Sequence, residues 1–389
     1  MPAELLTQAE TLKDWLVKTR RDLHRRPELS LKEKNTAAKC ADEFEKLGFR
    51  VRRNLWGEGF IADLDAPKGK GRVAIRADMD ALPIQELNDL DYKSEIPGVA
   101  HMCGHDTHMT CALGAAKLLV GQKDKLTRGV RFLFQPSEET PPGGAKGMIE
   151  KGCLDGVDEV YGLHNHPKLE VGKVSTRIGP FSAAADTFRI TLMGRGGHAS
   201  TPHENLDPIP AAAALVLELQ TLISRRLKPG TPAVLSVTQI TGGTTHNVMP
   251  DNVFIQGTVR TFDEPTRKLL EEGIGQMANA TVAAHRLKTM KYEFERGYDS
   301  IVNHAGAVES VRRSAAAIVG DSNVSIDQPA MTGGEDFAYY LQHKPGAFFF
   351  LGSGNAAKGI NEPWHSPRFN VDEQCLVVGS AVIAKLVTG

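Results

Sequence analysis

Three apolar runs in this chain end in the same way. "RVAIRADMDALPI" (72–84), "GVRFLFQPSEET" (129–140) and "DEVYGLHNHP" (158–167) each read as a buried strand that breaks into acids or histidines. Such runs, alternating with helical periodicity, specify strands covered on both faces and so an α/β layer with a mainly parallel sheet. In sheets of that kind, sites form in the crevice beyond the carboxyl ends of the strands. Asp78 and Asp80, Glu138 and Glu139, and His164 and His166 fall at those ends. The helical patterns lie around them. Residues 3–25 carry Leu5, Leu12, Leu16 and Leu23 and stop before Pro27. Residues 32–47 place Ala37, Ala41, Phe44 and Leu47 on one face, with Gly48 behind as a stop. "THMTCALGAAKLLV" reads as a third helix.

The middle of the chain breaks this alternation. "DTFRITLMG" (186–194) alternates like a half-buried strand, 207–226 is helical, "PAVLSVTQITG" and "NVFIQGTVRTF" are strands, 264–286 is helical and "KTMKYEFERG" is a last strand. Strand, helix, strand, strand, helix, strand is the split βαβ pattern of ferredoxin-like domains. The α/β pattern then resumes with a helix over 304–318, the strand "GAFFFLG" and a helix from about 372. The expected organisation is a discontinuous α/β domain over 1–184 and 296–389, with an α+β domain inserted over 185–295.

A chain of 389 residues is long for one core, which agrees with two domains. A net charge of −1 argues against nucleic acid as a partner. No apolar run approaches the roughly 18 residues that span a bilayer. The opening "MPAELLTQAETLKDWL" carries Glu4, Glu10 and Asp14 and no apolar stretch, so no signal peptide is expected. Five cysteines, sparse and odd in number, argue against a disulfide framework and for a reducing, cytoplasmic setting.

"AHMCGHDTHMT" (100–110) concentrates the chemistry. Cys103 and His105 stand two apart, flanked by His101 and His108. Thiolate and imidazole both suit zinc-like ions. The stretch by itself also admits a cysteine nucleophile with a nearby base, or a polar loop with structural histidines. Asp106 is placed to cap the helix that follows. In "QPSEET", Glu138 and Glu139 on an extended segment would point different ways, one to a metal and one to substrate. Asp78 or Asp80 could orient a ligating histidine. His365, in "PWHSP", sits between prolines where nothing structural calls for imidazole. Together, Cys103, His105, Glu138 or Glu139, His164 and His365 supply mixed ligands for two divalent ions. Such a pair can activate a shared water and polarise a carbonyl, with a remaining carboxylate as general base.

These stretches, with "DLHRRPELS", "GRGGHAS", "HNVMPD", "GTVRTFD", "GGEDFAYY" and "HSPRF", resemble in content and order the M20 metallopeptidase family. Within it they resemble the aminoacylase-like amidohydrolases: hippurate hydrolases, N-acyl-amino-acid amidohydrolases and auxin-conjugate hydrolases. The resemblance spans positions 22–369. It implies Cys103, His105, Glu139, His164 and His365 as ligands of two divalent ions (Zn, Mn, Co or Ni), Glu138 as general base and Asp80 as the acid that orients a site side chain. It implies that His198, at a strand end behind Gly196 and Gly197, is donated across a homodimer to hold the scissile carbonyl and its oxyanion. Asn247 resembles a polar substrate contact, and the fork of Arg260 could pair with a substrate carboxylate. The implied fold is the α/β metal-binding domain with an inserted ferredoxin-like lid that also makes the dimer. The implied reaction is hydrolysis of a small N-acyl amino acid to a carboxylic acid and a free amino acid. A metallo-carboxypeptidase acting on short peptides is the alternative.

Overall fold

The computed structural model describes residues 2–67, 69 and 71–389. The chain falls into two compact units. One runs to Phe181 and takes up again over Ile301–Ala330 and Asp336–Gly389; the other is Ser182–Ser300 with Met331–Glu335.

The first unit is built on an eight-stranded mixed sheet. Its order is Arg50–Arg52, Phe60–Leu64, Gly129–Gln135, Arg72–Asp78, Glu159–Glu170, Gly346–Gly354, Val174–Ser175, Val324–Ser325. The four central strands, Gly129–Gln135 through Gly346–Gly354, are mutually parallel. Every residue of Gly129–Gln135 and Gly346–Gly354 is buried, as a sheet covered on both faces demands. The helix His105–Val120 lies under this sheet against Gln374–Thr388, and fourteen of its sixteen residues are buried. A helix apolar nearly all round belongs inside a layer rather than on it.

Two details differ from the sequence expectation. The helix expected over 3–25 is two, Pro2–Thr11 and Lys13–Arg25, divided where the Leu12 N–H tightens onto the Ala9 carbonyl. The antiparallel strands Arg50–Arg52 and Phe60–Leu64 extend the sheet at one edge. They are three and five residues long, too short for periodicity to reveal.

The second unit carries a four-stranded antiparallel sheet, ordered Ala233–Thr241, Asn252–Thr261, Ala184–Met193, Thr289–Glu295. Counted along the chain this is 2-3-1-4, the arrangement that split βαβ connections generate. Ala184–Met193 alternates strictly between buried and half-buried residues, so one face packs and the other does not. Phe188, Ile190 and Leu192 meet Leu215 and Leu219 of the helix Pro208–Thr221 and Leu270 and Ile274 of Glu264–Ala284. Both helices start on an aspartate cap with proline in the first turn: Asp207 accepts from the Ile209 N–H, and Asp263 from that of Thr266. No helix among the described residues is long and apolar enough to cross a membrane.

Phe44, fully buried on the helix Lys34–Lys46, touches the rings of Phe49, Phe60, Phe132 and Phe134 with centroids 5.1–6.1 Å apart. It ties that helix to the sheet edge. Phe44→Ala should cost about 3–5 kcal/mol in a denaturant titration; a loss below about 1 kcal/mol would show that this edge repacks freely.

Candidate metal centre

The candidate ligands other than His164 stand where the chain makes an abrupt turn. Cys103 and His105 flank Gly104, whose φ of +93° turns the loop into the helix His105–Val120. A Cβ at Gly104 would lie 2.2 Å from the side-chain nitrogen of Asn165, so glycine is required twice over. Glu138 and Glu139 follow the strand Gly129–Gln135. Ser137, at φ +57°, bends the chain, so the glutamates sit on a turn rather than the extended segment expected. His164 lies within Glu159–Glu170. His365 holds φ +64°, rare for a residue with a side chain, and its N–H donates to the Met102 carbonyl at 2.8 Å. That bond sets His365 beside Cys103 across 262 residues of chain.

Of five groups of converging donor atoms among the described residues, two share one sulfur. Cys103, His105 and His164 form one, and Cys103, Glu139 and His365 the other, with the candidate atoms of each set within 4.8 Å of one another. Cys103 Sγ is 3.4 Å from His164 Nε2, and Glu139 Oε1 is 3.3 Å from His365 Nε2. His105 Nε2 faces Glu139 Oε1 at 3.8 Å and Glu138 Oε2 at 4.0 Å. The five predicted ligands and Glu138 are therefore brought together.

The ring nitrogens are oriented for this. His164 Nδ1 donates to the Asn165 carbonyl at 2.7 Å, which leaves the Nε2 lone pair toward the sulfur. His105 turns Nδ1 toward Asp80 Oδ1 at 3.4 Å and Nε2 toward the glutamates. Both ring nitrogens of His105 and Glu139 Oε1 are buried without a hydrogen-bond partner. Buried polar atoms are nearly always satisfied, so His105 Nε2 and Glu139 Oε1, which face each other, mark the place of a missing partner. A divalent cation fits them, and a thiolate, imidazole and carboxylate set suits zinc-like ions.

Electrostatics agree. Burial opposes charge on His105, but Asp78, Asp80 and Glu139 outweigh it and raise its pKa to about 10. Burial, with Glu139, Glu138 and Asp78 nearby, holds the Cys103 thiol well above its usual range. Burial and neighbouring His108 and His105 push His164 well below the usual imidazole value. A cluster this rich in carboxylates suppresses the thiolate; a bound cation reverses that balance.

The other residues of the histidine-rich stretch have different work. His108 Nδ1 donates to Asp78 at 2.6 Å, and its Nε2 accepts from Asn165, so it has no lone pair to offer a metal. His101 is buried, its pKa pushed down to about 4 by burial. Asp106 is not the N-cap, a place Gly104 holds, although its Oδ1 accepts the Thr107 N–H at 2.9 Å within the first turn. Asp106 instead joins Arg20 at 2.7 Å and His24 at 2.8 Å in a buried ionic cluster that reaches Glu86. Asp78 pairs with Arg76, which bonds Asp336 at 2.9 Å; Gln135 closes the group by donating to Asp336. Asp336 and Asn165 escape a reading of the sequence, since neither residue type announces burial.

The second unit holds the three remaining candidates. His198 ends the short strand Gly197–His198, paired with Val248–Met249. Its Nδ1 accepts from the Ser200 N–H at 3.1 Å, so the neutral ring carries its proton on Nε2. The Ala199 N–H bonds the Asn247 carbonyl at 3.1 Å, bringing His198 and Asn247 side by side, both exposed. Gly196 and Gly197 keep φ outside the left-handed region. They are needed for closeness, since added Cβ atoms would lie 2.3 Å from the Met249 carbonyl oxygen and 2.2 Å from Asn205 Oδ1. Arg260 bonds the Thr332 and Val259 carbonyls and the Thr258 hydroxyl, so its fork is held within its own unit.

Comparison with known proteins gives one consistent picture. The family model described as peptidase family M20/M25/M40 matches residues 74–389. An N-acetyl-L-cysteine deacetylase of Bacillus subtilis is 40% identical over 371 residues, 95% of this chain and 86% of that protein. Thermostable carboxypeptidase 1 of Saccharolobus solfataricus is 38% identical over 385 residues, 98% of this chain and 97% of its own length. A crystal structure of a dinuclear metal-binding peptidase of the M20 family from Bacillus subtilis superposes with a TM-score of 0.86 at 33% identity, covering 97% of this chain and 98% of that one.

One carboxyl behind the glutamate turn gives the centre a pH signature. Glu33 Oε1 accepts the Ser137 N–H at 2.8 Å, while Oε2 is buried without a partner. Burial, with Asp80 adding to it, raises its pKa to about 7. Between its ordinary value near 4.5 and about 7, the folded chain keeps a proton that the unfolded chain releases, so this group's stabilisation fades as pH rises. Glu33→Gln stays neutral. Its melting temperature relative to the native protein should climb between pH 5 and pH 8; a difference that is flat or falls across that range contradicts the assignment.

Proposed function

The chain belongs to peptidase family M20/M25/M40 and is a metal-dependent amidohydrolase, and from that premise we propose that it hydrolyses N-acyl amino acids to a carboxylic acid and a free amino acid. The observation that carries this reading is the pair of donor sets sharing Cys103, with Glu138 converging on His105 and Glu139 beside them. Two divalent cations held by Cys103, His105, Glu139, His164 and His365 would polarise the scissile carbonyl and bring a shared water's pKa toward about 7. Zinc, manganese, cobalt and nickel all suit this donor set.

The chain's own residues do the rest. Glu138 takes the proton of the attacking water and returns it to the leaving amine. Asp80 holds His105 through its Nδ1 side and so keeps Nε2 on the metal face. His198, donated across the proposed homodimer with its neutral ring carrying the proton on Nε2, gives a hydrogen bond to the developing oxyanion, a contribution that rises with preorganisation. Asn247, next to it, is the polar substrate contact, and Arg260 the partner of the substrate carboxylate. The inserted unit, over 185–295, serves as lid and as dimer contact. Its exposed Leu217 and Ile240 flank a groove between the helix Pro208–Thr221 and the edge strand Ala233–Thr241, the kind of surface a second copy covers. The setting proposed is the cytoplasm.

The similarity to a thermostable carboxypeptidase favours one alternative, cleavage of short peptides by the same chemistry. Hippurate, N-acetyl amino acids and dipeptides assayed side by side separate the two; turnover confined to dipeptides removes the N-acyl reading. Glu138→Gln should keep its bound metal and lose roughly a hundredfold or more of kcat. Full activity in that variant removes Glu138 as the base.

A further inference from the structure

Asn165 is fully buried between two histidines of "GLHNHP", and all its polar groups are engaged. Its side-chain Nδ2 donates to the Cys103 carbonyl at 2.7 Å and to His108 Nε2 at 2.9 Å. Its backbone N–H donates to the same His108 Nε2 at 2.9 Å. Its carbonyl accepts from His164 Nδ1 at 2.7 Å and from Trp364 Nε1 at 3.1 Å. One residue thus grips the loop of Cys103, the ring of His164 and the neighbour of His365. Those segments are far apart in sequence, and nothing else named here bonds all three.

His108 gives the second half of the argument. Asp78, His105 and His108 lie close enough to hold a cation of their own, with candidate atoms within 4.8 Å. His108 Nδ1 already faces Asp78 at 2.6 Å, and Asn165 places two N–H donors on Nε2. A neutral imidazole has one lone pair, so those donors close His108 to a metal.

We propose that Asn165 is a positioning residue that gathers three ligand-bearing segments into one centre and closes the competing Asp78–His105–His108 group. The proposal rests on the metal-centre reading above. Asn165→Asp puts an acceptor where both Nδ2 donations arise and Asn165→Ala removes the side chain; both variants lose the links to Cys103 and to His108 through Nδ2 while the backbone bonds to His108, His164 and Trp364 stay.

The test uses the full-length protein, stripped of metal and titrated with cobalt. The native chain should take up two cobalt ions with thiolate charge-transfer absorption. Both variants should bind about 10–100-fold more weakly, with an altered cobalt spectrum. Ser353→Ala, which loses only a 3.3 Å contact to Asn165 Oδ1, should stay within about threefold. A purely structural role would lower melting temperature and leave cobalt affinity and spectrum in place; that result overturns the proposal. A second measurement needs no change at Asn165. In histidine-labelled native protein loaded with cadmium-113, metal–nitrogen coupling should appear at His105, His164 and His365 and not at His108. Coupling at His108 also overturns it. Failure of the native chain to bind any metal refutes the metal-centre reading itself.

Discussion

The site is organised around one carboxylate. Asp80 lies two residues beyond the strand Arg72–Asp78, and its two oxygens hold four groups. Oδ1 accepts the Glu138 N–H at 3.0 Å and faces His105 Nδ1 at 3.4 Å. Oδ2 accepts the Glu139 N–H at 3.0 Å and the Ser30 hydroxyl at 2.7 Å. Burial works against its charge, yet His105, the Glu139 N–H and Ser30 together keep its pKa below the usual carboxylate value. A single anion thereby fixes the turn that carries both glutamates and the ring that faces them. Remove it and the helix start, the strand end and the turn lose their common reference.

Around that anion the charges are divided with some economy of motion. Arg76 is committed to Asp78 and Asp336, and Arg20 to Asp106. Buried pairs of this kind add little net stability, because desolvation offsets the attraction, but breaking one strands a charge. Their effect here is to hold the two sides of the histidine-rich stretch rigid. Between them lies a point where thiol, imidazole and carboxylate atoms meet and where His105 Nε2 and Glu139 Oε1 are buried without hydrogen-bond partners. The protein concentrates negative charge there that His105 only partly balances. A divalent cation is the simplest completion of that arrangement.

Much of this was legible in the chain. The central parallel strands are visible because residues covered on both faces must be apolar throughout, as "GVRFLF" and "GAFFFLG" are. The split βαβ order was legible because Ala184–Met193 alternates and its helices carry aspartate and proline at their starts. The ligand types stood out because cysteine beside histidine, and paired glutamates after a strand, have few structural uses. The edge strands were too short to show a period. Asp106 was misplaced because a capping aspartate and a buried ion-paired one look alike until Arg20, 86 residues away, is seen to meet it. The close approach that requires glycine at 196 and 197 depends on Met249 and Asn205, which local sequence does not display.

The sequence by itself determined which residues could ligate, where strands and helices run, and the family. These depend on side-chain chemistry and on periodicities of a few residues, both local. Tertiary structure alone decided how each histidine presents its ring nitrogens to the centre. His105 and His164 turn Nε2 inward because Asp80 and the Asn165 carbonyl face their other nitrogens, whereas the same residue's N–H groups cap His108. A ring nitrogen's availability is set by what meets its partner nitrogen, and that partner comes from another part of the chain.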